Sequence, residues 1–321
     1  MKRRQFLASA GVVAVMTAMP RLVQAQTIDK LEIFVPAAPG GGWDQTARLM
    51  DSVMRETDFI GSSRITNVGG AGGTIGLPQF INQHRGDGNA LMTGGMVMVG
   101  AILTNKSPVD LSAVTPIARL TGEYLAIVVP AASPFQTMKD LVEALKKDVG
   151  SVSWAGGSAG GSDHILAGMV AKAAGVDPIK VSYVAFAGGG EAMAALLGNQ
   201  ISCGVSGWGE FSEQVAAGNL RVLGISAPER VAGIEAPTIK EQGLNVELLN
   251  WRAVFAGPDL SDEQRNNLID LVTKMNASEK WQSELKARSW TPLFLAGDEF
   301  AKYLEEDTKR ISGILKDLGL A

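Results

Sequence analysis

Glycines set between apolar runs and helical patterns are the residues of this chain best placed to do chemistry. From Phe34 to Arg48 the sequence reads Phe-Val-Pro-Ala-Ala-Pro-Gly-Gly-Gly-Trp-Asp-Gln-Thr-Ala-Arg. Leu31 to Val35 reads as a strand, Pro36 and Pro39 forbid its continuation, three glycines free the backbone, and a helical pattern starts at about Trp43. Such a junction aims unpaired N–H groups and the positive end of a helix dipole at one point, which suits a carboxylate or a phosphate. One junction alone is as often a plain turn. Further glycine junctions follow at Gly69-Gly70-Ala71-Gly72-Gly73, at Gly94-Gly95, at Gly156-Gly157-Ser158-Ala159-Gly160-Gly161-Ser162 and at Ala187-Gly188-Gly189-Gly190.

Other chemistries are poorly supplied. Gly156-Gly157-Ser158-Ala159-Gly160 matches a nucleophile elbow on paper, but His84 lies far upstream and His164 sits on the next helix, so the serine, acid, histidine order of such hydrolases fails. Ser158 is expected to be a hydroxyl donor in a binding loop. No Gly-Lys-Ser/Thr ends a glycine loop, and no cluster of His, Cys and carboxylates has metal-ligand spacing. Neither an enzyme nor a cofactor or metal site is expected. Cys203, the sole cysteine, lies in an apolar run and is expected to be buried and inert.

The 321 residues, 46% hydrophobic and 19% charged, can bury the cores of one large or two medium domains. Lys2, Arg3 and Arg4, the apolar stretch Phe6 to Met19, and Val23-Gln24-Ala25 have the parts of an export signal over residues 1–25. The Arg3-Arg4-Gln5-Phe6-Leu7 run resembles a twin-arginine signal. Without that segment 25 basic residues face 33 acidic ones, a net charge of −8, which argues against nucleic acid and anionic lipid. An anionic ligand must then be held by local dipoles. No later segment offers 18 uninterrupted apolar residues, so none is expected to span a membrane.

Positioning these loops takes an alternation of strands and helices. Trp43 to Arg55 carries an apolar stripe of Ala47, Leu49, Met50, Val53 and Met54, and strands are expected at Arg64 to Val68 and Ala90 to Thr93. Tyr124 to Val129 reads as a buried strand crossing into a second α/β unit, where Ser162 or Asp163 would make a helix N-cap. From about Asn250 a strand returns toward the first unit, and the tail reads as helices over Asp262 to Met275, Glu279 to Ala287 and Gly297 to Leu318, with their charges on solvated faces. The expected division is domain 1 over 26–125 plus 248–321 and domain 2 over 126–247, two doubly wound α/β domains joined by at least two crossings.

Four motifs, at 39 to 48, 69 to 73, 156 to 164 and 183 to 191, stand in register with Arg221-Val222-Leu223 and Pro237-Thr238-Ile239-Lys240-Glu241-Gln242-Gly243. Together they resemble the substrate-binding receptors of the tripartite tricarboxylate transporters, over essentially the whole chain after the signal. The resemblance implies a fold of the periplasmic binding protein type, with a hinge and an interdomain cleft closing over a small organic carboxylate. It points to Ala38, Gly41, Gly42 and Trp43 in the first loop and Gly70, Ala71, Gly72 and Gly73 in the second. In the third it points to Ser158, Ala159, Gly160, Gly161 and Ser162, and in the fourth to Gly188, Gly189 and Glu191. Glu191 begins a helix, so capping competes there with ligand binding. Asp44 matches the family's usual aspartate; beside an anion it would repel, so capping the helix or ordering a loop water is its expected role. His164 is expected either to pack its turn or to donate to a carboxylate. Trp43 departs from the small residue usual after the glycines, and could stack on the ligand or narrow the pocket. The loop sequences lean toward a citrate-like di- or tricarboxylate. The implied partner is a membrane permease, with the receptor an exported periplasmic monomer; the alternative is a ligand-dependent partner of a sensor kinase.

Overall fold

The structure, a computed structural model, describes residues 28–186 and 189–321. The expected export signal and Gly188 lie outside the described residues. Three parallel strands begin the chain, β1 (Ile28–Val35), β2 (Ile60–Asn67) and β3 (Ala90–Gly95). Between and after them come helices α1 (Gly42–Glu56), α2 (Gly76–Gln83) and α3 (Met96–Thr104). The expected apolar stripe of α1 is its packing face: Ala47, Met50, Val53 and Met54 are all fully buried. Each such methionine or valine contributes about 1.5 to 3 kcal/mol by leaving water.

The strand expected at Tyr124 to Val129 is longer, β4 (Thr115–Pro130), and it belongs to two sheets. Its first part, from Thr115 to Tyr124, pairs antiparallel with β9 (Leu249–Ala256), which in turn pairs antiparallel with β3. From Leu125 onward it pairs antiparallel with β7 (Cys203–Gly207) and β8 (Leu220–Ile225). Beyond β7 lie β5 (Ser153–Gly156) and β6 (Ser182–Ala185), both parallel to their neighbours. The strand path is therefore β2-β1-β3-β9-β4-β7-β5-β6, with β4 the shared member. The second unit carries α4 (Met138–Lys147), α5 (Ser162–Ala173), α6 (Gly189–Leu197) and α7 (Trp208–Ala216). After β9 come α8 (Asp262–Ala277), α9 (Glu279–Ala287) and α10 (Gly297–Asp317).

The two chain crossings are tied together at Ser226, which is fully buried. Its Oγ accepts from the Leu125 N–H at 2.8 Å and donates to the Leu248 carbonyl at 2.6 Å. One local expectation is corrected. The N-cap of α5 is Gly161, with Ser162 already helical, because Asp163 is engaged with the amide of Gly157. The three helices expected in the tail are α8, α9 and α10, and between the last two an unassigned segment forms β10 (Thr291–Ala296), which pairs antiparallel with β4 through a register shift between Pro292 and Leu295. Pro292 and the bulge hid that strand from a reading by alternation.

Candidate functional site

A cavity of about 120 Å³ lies between the two halves, enclosed by the loops that follow β1, β2, β5 and β7 and by β9. The halves touch around it. A Cβ on Gly72 would meet Ser158 Oγ at 3.3 Å, and one on Gly100, in α3, would collide with the carbonyl oxygen of Gly160 across the cleft. The two halves are in contact across the cleft.

The first wall is backbone. Gly41 caps α1 with φ −79° and ψ 173° and offers no side chain, so the first-turn amides of Gly42 and Trp43 have no capping acceptor. Gly41, Gly42 and Trp43 all line the cavity. The loop around them is held by Asp44, whose carboxylate accepts from the Gly40 N–H (2.9 Å), Arg48 Nε (2.8 Å) and Asn67 Nδ2 (3.0 Å). Burial pushes the Asp44 carboxyl up, and these hydrogen bonds outweigh it, leaving it below its ordinary value. Asp44 therefore orders the loop and does not line the cavity. Trp43 is buried and lines the cavity while its ring packs on the second loop, where a Cβ on Gly73 would lie 3.1 Å from the indole. At φ +64° and +91°, Gly72 and Gly73 take a left-handed backbone that a side chain would strain.

The second wall carries the acids. Asp163, in the first turn of α5, accepts from the Gly157 N–H at 2.8 Å and Ser162 Oγ at 3.0 Å. Burial raises its pKa to about 6 against those two bonds. Glu210, in the first turn of α7, is raised to about 7, first by burial and then by the charge of Asp163, with Ser206 opposing.

The floor comes from β9. Asn250 and Arg252, two residues apart on one strand face, both line the cavity. Arg252 is buried against Trp290, its guanidinium carbon 4.4 Å from the ring centroid, and Nη2 pairs with Glu123 Oε1 on β4. Burial lowers its pKa to about 9, so it stays charged at pH 7. Its Nη1 and the Oδ1 of Asn250 are buried without a hydrogen-bond partner.

Of the residues expected at the site, Ala38, Gly41, Gly42, Trp43, Gly70, Gly72, Gly73, Ser158, Ser162 and Gly189 meet around this cavity. Ala71, Ala159, Gly160, Gly161 and Glu191 do not line it. Gly160 and Gly161 serve the close approach to α3, packing on Thr104 and Val97. His164 is also outside: its Nδ1 accepts from the Gly160 N–H at 3.1 Å, its ring stacks on Tyr183 at 4.1 Å, and burial lowers its pKa to about 4. It packs its turn as a neutral ring. Asp163, Ser206, Glu210, Asn250 and Arg252 were missed, because glycine patterns find backbone sites only. A signal existed for two of these groups: Asn250 and Arg252 are polar residues inside a strand that is otherwise apolar.

The family model described as the tripartite tricarboxylate transporter family receptor matches residues 48–320. A UPF0065 protein from the gbd 5′ region of Cupriavidus necator is 26% identical over 333 residues, covering 100% of this chain and 99% of the relative. Among solved structures, the periplasmic binding protein BugD superposes with a TM-score of 0.82 at 22% identity, covering 91% of this chain and 98% of that one. MatC from Rhodopseudomonas palustris, solved with bound malate, gives 0.78 at 21% identity, covering 90% and 99%. These likenesses establish the two-domain periplasmic-binding-protein fold.

Proposed function

We infer the function from one premise: the chain belongs to the receptor family of the tripartite tricarboxylate transporters. It is a periplasmic receptor that closes on a small organic carboxylate and delivers it to a tripartite membrane permease, acting by binding and release without turnover. The domains that close are 26–125 plus 248–321 and 126–247. One observation carries the reading. Gly42 and Trp43, in a first turn without a side-chain cap, line a cavity at the positive end of a helix, and the charged Arg252 lines it too. The malate bound by MatC supports a carboxylate as the ligand class. A citrate-like acid is the expectation that the loop sequences add.

A thermal-shift screen of carboxylic acids tests the reading, since a ligand that binds only the folded state raises the melting temperature by mass action. A saturable shift with some small carboxylate is expected; silence across the whole series overturns the proposal. The Gly41→Val variant locates the site. A Cβ on Gly41 meets nothing within 4 Å, so the fold accepts it at a position that lines the cavity. Binding should weaken by at least about tenfold, which is ~1.4 kcal/mol, with the ligand-free melting temperature nearly unchanged.

A further inference from the structure

Asp163 and Glu210 stand in the first turns of α5 and α7, and both line the cavity that a carboxylate would fill. Asp163 accepts from the Gly157 N–H and Ser162 Oγ, while Glu210 is bonded to Ser206 and packs on Gly189 of α6, where a Cβ would strike its Oε2. Among the described residues no lysine or arginine forms an ion pair with either acid. The charged groups nearby are committed elsewhere. Arg252 is held by Glu123, which packs against Gly207 at the start of α7, and Arg288, in the adjoining crevice with Glu210 and Glu213, is held by Glu284. Tyr183 donates its hydroxyl hydrogen to the Gly157 carbonyl at 2.9 Å, and His164 stacks on it as a neutral ring. Glu191, in the first turn of α6, does not line the cavity.

A carboxylate ligand brings a third carboxyl group into this enclosure. Carboxyl groups that share one site do not all ionise freely, so one of them keeps a proton. The two domains therefore meet the anion differently. On the first-domain side the dipole of α1 is free to act on it, because the acid of that helix, Asp44, is bound to Arg48, Gly40 and Asn67. On the second-domain side the dipoles of α5 and α7 are offset by their own acids while these are charged, and act on the ligand once they are neutral. A proton on either acid thus removes a repulsion and turns an acceptor into an O–H donor.

Resting on the carboxylate-receptor reading, we propose that Asp163 and Glu210 form a proton-binding site coupled to the ligand site, so that the receptor takes up a proton when it binds a carboxylate and returns it on release. The proton comes from solvent and rests on a carboxyl oxygen of the pair; no bond of the ligand changes. The ligand-free values agree with the geometry, since Glu210 is raised to about 7 by burial and the charge of Asp163, and Asp163 to about 6 by burial. A further negative charge in the cavity moves both upward. Coupling is reciprocal: if the ligand tightens the hold on the proton, the proton tightens the hold on the ligand. Affinity must then fall as pH rises through 7.

Isothermal calorimetry on the purified protein tests this, with malate, succinate, citrate and aspartate as probes and the tightest carried forward. Titrations at pH 7.5 in HEPES and in Tris, buffers of different ionisation heat, count the protons directly, and uptake of about half a proton or more per ligand is expected. The affinity should fall at least fivefold from pH 6 to pH 8. Glu210→Gln copies the protonated side chain; it should lose most of the uptake and bind the acid more tightly than the native protein at pH 8. Asp163→Asn should lower the uptake in the same sense. If Glu210→Gln does not fold, the native titrations and Asp163→Asn still decide. No uptake, release of protons, or an uptake unchanged in both variants overturns the proton site and leaves the receptor reading standing. Binding of none of the four acids overturns both.

Discussion

Glu210 shows how a single side chain can set the pH behaviour of the ligand-free protein. Burial and the charge of Asp163 raise its pKa to about 7 from 4.5, so the folded state holds the proton more tightly than the unfolded chain does. The stability this contributes is fully present below pH 4.5 and is lost as pH rises through 7. Asp163, raised to about 6, acts in the same sense over a slightly lower window. Removing the titrating group should therefore help most in alkali. Glu210→Gln is expected to raise the ligand-free melting temperature by a few degrees at pH 8, on the order of 1 to 3 kcal/mol, and by much less at pH 5. Thermal melts at the two pH values check this, and an equal change at both would contradict it. Neither acid stood out in the sequence. Asp163 is expected only as a helix N-cap and Glu210 draws no expectation, because one-dimensional spacing does not show that loops some 50 residues apart face one cavity.

At the scale of elements, the glycine junctions were legible and their division of labour was not. The strand–glycine–helix pattern found the loop before α1 and the loop at Gly70 to Gly73, since proline, glycine and apolar runs act locally. It could not separate glycines that admit a ligand from glycines that admit another element. Gly41 faces empty space, whereas Gly100 and Gly160 allow α3 to approach the loop before α5. That contact joins the two halves across the cleft. Gly100→Val should therefore hold the cleft open: the ligand-free protein stays folded, ligand affinity falls at least about tenfold, and the ligand no longer compacts the molecule. Small-angle scattering with and without ligand reads the effect. A variant that still contracts on binding would show that α3 does not gate closure.

For the whole molecule, the sequence anticipated two α/β units and a crossing near Tyr124, because a long apolar run is visible in any chain. It did not show that one strand would be a full member of both sheets, nor that Ser226 would bind both crossings, since pairing partners lie 100 residues away. β4 gives its first ten residues to one sheet and its remainder to the other. Losing either sheet strips hydrogen bonds from the same strand that the other sheet needs. The halves should consequently melt as one cooperative unit. Scanning calorimetry is expected to give a single transition whose calorimetric and van't Hoff enthalpies agree, and two resolved transitions would contradict it. The same strand forbids dissection: a fragment cut to contain either half alone must split β4 or leave half of it bare, so the receptor should resist being reduced to a smaller folded module.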